Sequence, residues 1–153
     1  MKNMIKYLTL EGLEKLKKEL NYLKTVKRRE SAETLRHTAS FGDLSENFAY
    51  QQAKEDQAFL EGRILELGKI ISQAKIIEKR KTDKVQLSSL VIVNLAGKKE
   101  KFQILGPEEA DPAKGKISFE SPLGKALLGK KVGNKIKIKT LDGKLEGEIL
   151  KIE

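Results

Sequence analysis

The chain has 153 residues, of which 39% are hydrophobic and 35% charged, a composition that suits one ordinary folded domain or two small ones. It has no cysteine, which excludes disulfides, thiolate metal sites and cysteine nucleophiles. No apolar run reaches the roughly 18 residues that span a bilayer, and the N-terminus lacks a signal-peptide core, so a cytoplasmic protein without a membrane segment is expected.

The charge balance is strongly basic. Lys and Arg number 31 against 22 Asp and Glu, for a net charge of +9. This excess indicates a polyanionic neighbour, either RNA, DNA or a nucleic-acid machine, unless it is only a solvated Lys/Glu surface. Aromatic residues make up 5% of the chain, so base stacking is not expected as the main mode of nucleic-acid contact.

The first half has apolar residues at helical spacing. One pattern runs from Leu10 to about Ser40, with Thr9 as its N-cap, and a second from about Ser45 to Lys75. Neither contains proline, and a helix of about 30 residues is about 45 Å long. The two patterns predict an antiparallel coiled-coil hairpin. Its stripes are Leu13, Leu16, Leu20 and Leu23 on the first helix, and Ala53, Leu60, Ile64, Leu67, Ile71 and Ala74 on the second.

The second half has a different periodicity. A charged segment at residues 78–84 is a linker between a helical domain at 1–77 and an α+β domain at 85–153. Strands are predicted at residues 90–95, 101–105, 135–139 and 145–152, with a hairpin turn at Asp142-Gly143. One short helix interrupts them, capped by Ser121, started by Pro122 and closed by Gly129.

The turn between the two long helices has the sequence Gly42-Asp43-Leu44-Ser45-Glu46-Asn47. No Lys or Arg lies between Arg36 and Lys54, so this end of a basic protein is acidic. Asp43 and Glu46 have the spacing of a capping box, in which each side chain accepts from the other residue's backbone N–H. They could equally deliver a divalent cation, since two carboxylates could complete a Mg²⁺ site supplied mostly by another protein and organise water for phosphodiester cleavage.

No other group of residues supports catalysis by this chain alone. His37 is the single histidine, and its place near a helix end favours an exposed side chain or a C-terminal cap. Lys27, Arg28, Arg29 and Arg36 form a basic cluster along the first helix below the acidic turn. That cluster is either a solvated helix face or a contact to a phosphate backbone.

Nearly the whole chain resembles Gre-type bacterial transcript cleavage factors of the GreA-like kind. Each matching segment is weak alone, whereas their order and spacing are specific. The segments are Tyr7-Leu8-Thr9-Leu10-Glu11-Gly12, Lys15-Leu16-Lys17-Lys18-Glu19-Leu20, the turn Gly42–Asn47 with Tyr50, Ala53-Lys54-Glu55, Glu61-Gly62-Arg63-Ile64, Ile117-Ser118, residues 121–130 and Val132-Gly133.

The resemblance implies an N-terminal coiled coil followed by a C-terminal FKBP-like α+β domain. It implies a monomeric, non-enzymatic cofactor whose coiled coil enters the secondary channel of bacterial RNA polymerase. Asp43 and Glu46 would there help to hold a shared catalytic Mg²⁺, and no metal would bind tightly to the free protein. The basic cluster would face the nascent RNA 3′ end, with DNA as a further contact. The polymerase-binding residues would be Ser121, Pro122, Leu123, Gly124, Lys125 and Leu127.

The chain departs from the family pattern at Phe48-Ala49, where a third carboxylate is common. Phe48 could pack on the end of the hairpin, or it could touch a base or a polymerase loop. Three alternatives remain: an inhibitory relative that blocks the channel, an FKBP-like chaperone or prolyl isomerase, and a coiled-coil scaffold. The intact Asp43 and Glu46 pair argues against the first. The scarcity of aromatic residues in the second half, Phe102 and Phe119 only, argues against the second.

Overall fold

A computed structural model describes residues 4–153, which divide into two compact units. One unit contains Leu13–Ala74. The other combines Ile5–Gly12 with Lys75–Glu153. The sequence-based division at residue 77 assigned the first twelve residues to the helical domain. The structure instead assigns residues 5–12 to the sheet unit, because they form a strand and a helix start whose partners lie there.

The helical unit is an antiparallel hairpin, as predicted. Its first arm consists of α1 (Leu10–Tyr22), a π-helical turn (Leu23–Lys27) and α2 (Arg28–Ala39). Its second arm is α3 (Phe48–Ser72). The Arg28 N–H donates to the carbonyl of Leu23, five residues earlier, which is the hydrogen bond that defines a π turn. The spacing of the apolar residues did not predict this turn, because helical spacing is found both before and after it.

Apolar side chains and ion pairs hold the two arms together. Ala53, Ile64, Leu67 and Ile70 of α3 are buried, while the stripe leucines of the first arm are half-buried. Arg63 Nε lies 3.0 Å from Glu19 Oε1, and Arg28 binds both carboxylate oxygens of Glu61 at 2.9 and 2.8 Å. The predicted seam is therefore half-buried on the first arm. On the second arm three of the predicted residues are buried, Leu60, Ile71 and Ala74 are half-buried, and Ile70 is buried although it was not predicted.

The second unit is built on a five-stranded sheet. Its strands are β3 (Leu90–Leu95), β4 (Lys98–Leu105), β5 (Lys116–Ser118), β6 (Lys135–Thr140) and β7 (Gly143–Ile152), in the order β5-β4-β3-β7-β6. All pairings are antiparallel except β4 with β5. The alternation predicted for β6 is confirmed, since Ile136 and Ile138 are buried and their neighbours exposed.

The core of this unit lies between one face of the sheet and the short helix α4 (Pro122–Leu127). Ser121 accepts a hydrogen bond from the Gly124 N–H at 3.0 Å, and Gly129 adopts a φ of 79°, so the predicted start and end of this helix are both confirmed. The core side chains are Val85, Val91, Val93, Leu95, Ile104, Ile117, Leu127, Ile136, Ile138 and Ile149.

The N-terminal strand joins the same unit through a small second sheet. β1 (Lys6–Leu8) pairs with β2 (Ala74–Ile76), and the Ile77 N–H donates to the Leu8 carbonyl at 2.8 Å. Thr9 caps α1 as predicted, since its Oγ1 accepts from the Gly12 N–H at 3.0 Å. The Glu109 carboxylate accepts from the Thr9 N–H at 2.8 Å and from the Thr9 hydroxyl, which ties the helix start to this unit.

Candidate functional site

The connection between α2 and α3, residues 40–47, forms the tip of the hairpin, and Asn47 joins its two ends. The Asn47 Oδ1 accepts from the Tyr50 N–H at 3.0 Å and so caps α3. Its Nδ2 donates to the carbonyl of Thr38, a buried residue in the last turn of α2. Gln51 donates to the Leu44 carbonyl at 3.0 Å. One amide thus fixes where one helix ends and the next begins.

Asp43 and Glu46 lie at the corners of a backbone turn inside this tip. The Glu46 N–H donates to the Asp43 carbonyl at 3.3 Å, and both residues are exposed. The Asp43 Oδ1 accepts from the Ser45 N–H at 3.0 Å and from the Ser45 hydroxyl at 2.8 Å. Those two hydrogen bonds lower the pKa of Asp43 from its ordinary value, so this carboxylate is ionised at neutral pH.

The capping-box interpretation of these two acids is wrong. The helix begins at Phe48 instead of Ser45, and Asn47 provides the cap. Asp43 uses its side chain on Ser45, two residues on, instead of residue 46. Sequence reasoning missed Asn47 although asparagine is a favoured N-cap residue, because the Asp-x-x-Glu spacing offered an equally good cap earlier.

The tip therefore presents two carboxylates outward from an ordered turn. The Asp43 Oδ2 and the Glu46 carboxylate have no hydrogen-bond or ion-pair partner among the described residues. Carboxylate oxygens are ligands that Mg²⁺ accepts, and Mg²⁺ keeps several waters when a protein offers only one or two of them. Residues 4–153 contain no group of three or more potential metal ligands. The pair fits a metal that is held mainly by a second molecule.

Phe48 does not pack on the end of the hairpin, since 87% of it is exposed. It is the first residue of α3 and directly follows the cap. Of the two contacts that the sequence left open for Phe48, packing within the chain is thereby excluded. A contact with a base or a polymerase loop stays a prediction.

Among the described residues, the four members of the basic cluster differ in whether they have an ion-pair partner. Arg28 is held by Glu61 across the hairpin, which raises the pKa of Arg28, and Lys27 lies 3.4 Å from Glu30. Arg29 and Arg36 are both exposed, and they lie seven residues apart on α2 and so on one face. These two have no ion pair among the described residues. Arg29 and Arg36 are therefore the first candidates for a phosphate contact.

The predicted polymerase-binding set also divides. Leu127 is fully buried in the core, and Gly124 is buried with no room for a side chain, so neither can contact a partner. Leu123 is half-buried and packs against the core, and Ser121 is occupied as the helix cap. Pro122 and Lys125 are exposed. This correction follows from the packing of α4. The face that carries Gly124 and Leu127 is buried in the sheet unit, so only the opposite face is free.

Two alternatives from the sequence can be compared with the structure. His37 is exposed in the last turn of α2, where its ring lies edge-on to Phe41 at 4.9 Å between centroids. Phe102 and Phe119 pack against the core of the sheet unit. Neither phenylalanine is therefore available to line an open isomerase pocket.

Comparison with known proteins gives a consistent family. Residues 6–76 match the model described as the N-terminal part of transcription elongation factors GreA/GreB, and residues 79–153 match the model of the GreA/GreB C-terminal part. The chain is 48% identical over 149 residues to transcription elongation factor GreA of Caldanaerobacter subterraneus, covering 95% of each chain. It is 49% identical over 148 residues to GreA of Bacillus subtilis, covering 95% of this chain and 94% of that one.

Solved structures include the GreA factor homolog 1 (Gfh1) of Thermus thermophilus, which is 30% identical with a TM-score of 0.46 and covers 98% of this chain and 99% of that one. Gfh1 of Thermus aquaticus is 31% identical with a TM-score of 0.45 and covers 97% of this chain and 98% of that one. Within residues 4–153 of the present chain, no helix is long and apolar enough to cross a bilayer.

Proposed function

Because this chain belongs to the GreA/GreB family of transcription elongation factors, we propose that it binds bacterial RNA polymerase and stimulates the polymerase's own cleavage of backtracked transcripts. The chain is a cofactor of that reaction and not itself the enzyme. The single observation that supports this role best is the ordered tip, which exposes Asp43 and Glu46 at the end of a helical hairpin.

In this mechanism the hairpin enters the secondary channel and brings the tip to the polymerase active site. Asp43 and Glu46 would complete the coordination of a Mg²⁺ ion held mainly by the polymerase, and that ion would activate water for attack on a phosphodiester. The two hydrogen bonds from Ser45 orient the Asp43 carboxylate and favour its ionised form. The Asn47 bridge holds the turn in place on the ends of both helices.

The rest of the chain supplies binding. Arg29 and Arg36 would contact phosphates of the nascent RNA 3′ end, and a DNA contact would use the same electrostatic attraction. Pro122 and Lys125, the exposed residues of α4, would contact the polymerase. The factor would act as a monomer, in the bacterial cytoplasm where the polymerase works.

The test is a transcript cleavage assay on a defined backtracked elongation complex, with binding measured in parallel. Asp43→Asn and Glu46→Gln keep the size of each side chain and remove its charge. Each should lower the stimulated cleavage rate about tenfold or more while the Kd for the complex stays within about threefold. Asp56→Asn, an exposed acid on α3 outside the tip, is the matched control and should leave the rate unchanged.

Two results would contradict this proposal. Loss of binding in proportion to activity in the tip variants would show that the carboxylates dock the protein instead of serving the reaction. Wild-type protein that binds the complex but releases no RNA fragment would favour the channel-blocking relative, with the Phe48-Ala49 departure as its first explanation.

A further inference from the structure

The tip exposes apolar side chains beside its two carboxylates. Phe41 is 60% exposed, Leu44 43% and Phe48 87%. Phe41 has a neighbour within the chain, since His37 lies edge-on to it. The Phe48 ring has no aromatic partner among the described residues. Phe48 is thus a large apolar side chain presented outward close to the two carboxylates of the tip.

The position of Phe48 is fixed more firmly than a loop residue would be. It is the first residue of a 25-residue helix, and the Asn47 cap on the Tyr50 N–H fixes the backbone on either side of it. Phe48 follows Glu46 by two residues, so the two Cα atoms are at most about 7 Å apart. The Phe48 side chain therefore begins close to the Glu46 backbone.

We propose that the Phe48 ring stacks on a base of the unpaired transcript, at a nucleotide flanking the phosphodiester that Asp43 and Glu46 approach. The proposal rests on the function proposed above. A base is joined through its sugar to that phosphodiester, so it lies within the reach of a side chain next to the carboxylates. Unpaired RNA exposes its base faces, and aromatic side chains stack on any base because every base has a π-face.

The side chains of the tip give it no charge attraction of their own to RNA. No Lys or Arg lies between Arg36 and Lys54, so the tip offers no cationic side chain of its own to a phosphate. Asp43 and Glu46 repel a polyanion unless a metal lies between them. Stacking is an attraction to RNA that does not depend on charge. One ring suffices for one nucleotide, which agrees with a chain that has only 5% aromatic residues.

The experiment combines protein variants with a modified transcript. Backtracked complexes are assembled with an ordinary transcript, or with transcripts that carry an abasic site at either nucleotide flanking the scissile bond. Wild type, Phe48→Ala, Phe48→Trp and Phe59→Ala are compared at saturating factor, and the initial cleavage rate is measured. Phe59 is the matched control: it is 84% exposed on the same helix, and eleven residues, about three turns, place it on the same face away from the tip.

On the ordinary transcript, Phe48→Ala should lower the stimulated rate about fivefold or more, while Phe48→Trp and Phe59→Ala keep the wild-type rate. On one of the two abasic transcripts, wild type and Phe48→Ala should cleave at the same rate, because the base that the ring contacts is missing. All four proteins should fold equally well, since both phenylalanines are exposed.

Equal loss with Phe48→Ala on all three transcripts would mean that the ring enters an apolar pocket of the polymerase, and it would overturn the proposal. An unchanged rate with Phe48→Ala on the ordinary transcript would overturn it too. If wild type itself gives no more cleavage than Asp43→Asn, the proposed function fails and this inference fails with it. Normal cleavage by wild type together with an unchanged rate for Phe48→Ala would therefore overturn this inference and leave the proposed function standing.

Discussion

Asn47 shows how much of the site depends on one side chain. Its oxygen caps α3 and its amide nitrogen donates to the carbonyl of Thr38 at the end of α2. Asparagine and glutamine carry a donor and an acceptor on one amide group, and of these two asparagine is the one short enough to cap a helix well. Replacement of Asn47 can therefore remove either bond or both.

Asn47→Ala should lower the free energy of unfolding by about 1–3 kcal/mol, because it removes an N-cap and leaves the Thr38 carbonyl without its partner. Asn47→Ser keeps a capping oxygen and is too short to reach the Thr38 carbonyl, so it should be less destabilising. Chemical denaturation of the two variants measures the difference. Equal stability of wild type and Asn47→Ala would contradict the bridging role.

Ser45 stabilises the ionised form of Asp43. The two hydrogen bonds lower the pKa of Asp43 in the folded protein below the unfolded value of about 3.9. Because the folded pKa is the lower one, these bonds favour the folded state above pH 4. That contribution is lost as the pH falls through the folded pKa of Asp43. At neutral pH the carboxylate is ionised.

Ser45→Ala removes the hydroxyl bond and keeps the backbone one, so the pKa of Asp43 should rise part of the way toward 3.9. Ser45→Thr retains a hydroxyl and should leave it near the wild-type value. Carboxyl-carbon NMR titration follows the group directly. If the Asp43 pKa is the same in wild type and Ser45→Ala, the hydrogen bond from the Ser45 hydroxyl does not stabilise the ionised carboxylate in solution.

At the scale of elements, α4 separates residues that hold the fold from residues that are free to bind. A Cβ on Gly124 would clash with the Ser118 carbonyl oxygen and come within 2.9 Å of the Phe119 Cα. Leu127 fills the core on the same face. The exposed face carries Lys125, so one face of this short helix packs in the core and the other is available for binding.

Leu127→Ala should lower the free energy of unfolding by about 2–5 kcal/mol, since it leaves a cavity in the sheet unit. Lys125→Glu should leave stability within about 0.5 kcal/mol and weaken binding to the polymerase. Thermal unfolding and a binding titration on both variants distinguish the roles. Unchanged binding with Lys125→Glu would remove this face of α4 from the interface.

At the scale of the whole molecule, the arginines differ in whether their charge is already paired with a carboxylate. Arg28 and Arg63 are committed to Glu61 and Glu19 across the hairpin, whereas Arg29 and Arg36 have no ion pair among the described residues. A residue that neutralises one phosphate contributes about one unit to the salt dependence of binding. The arginines should therefore differ in this measurement, although the sequence alone does not distinguish them.

Arg29→Gln with Arg36→Gln should weaken binding to backtracked complexes and reduce the slope of log K against log salt by up to about two. Glu33→Gln, an exposed residue between them that changes the charge by the opposite sign, should not reduce the slope. A titration over a range of salt concentrations gives both values. An unchanged slope in the double variant would exclude RNA phosphates as the partners of these two residues.

Local signals were enough to predict most of the architecture. Alternation predicted β6, and a serine cap, a proline and a glycine defined α4, because each depends on neighbours in the chain. The strands β1, β2 and β5 have three residues each, which is too short for periodicity to detect, and β1 and β2 are also distant in sequence. The prediction of the α3 cap failed for a similar reason, because Asn47 donates to the Thr38 carbonyl of a different helix.

The π-helical turn at Leu23–Lys27 has a consequence for insertions and deletions. A π turn takes up one more residue than the α-helical turn it replaces, and the helical phase before and after it is preserved. A homologue that lacks one residue in this segment could close it as regular α-helix and still present the same faces of α1 and α2 to α3. An alignment gap of one residue here would therefore mark a neutral change of length, and not a different register of the hairpin.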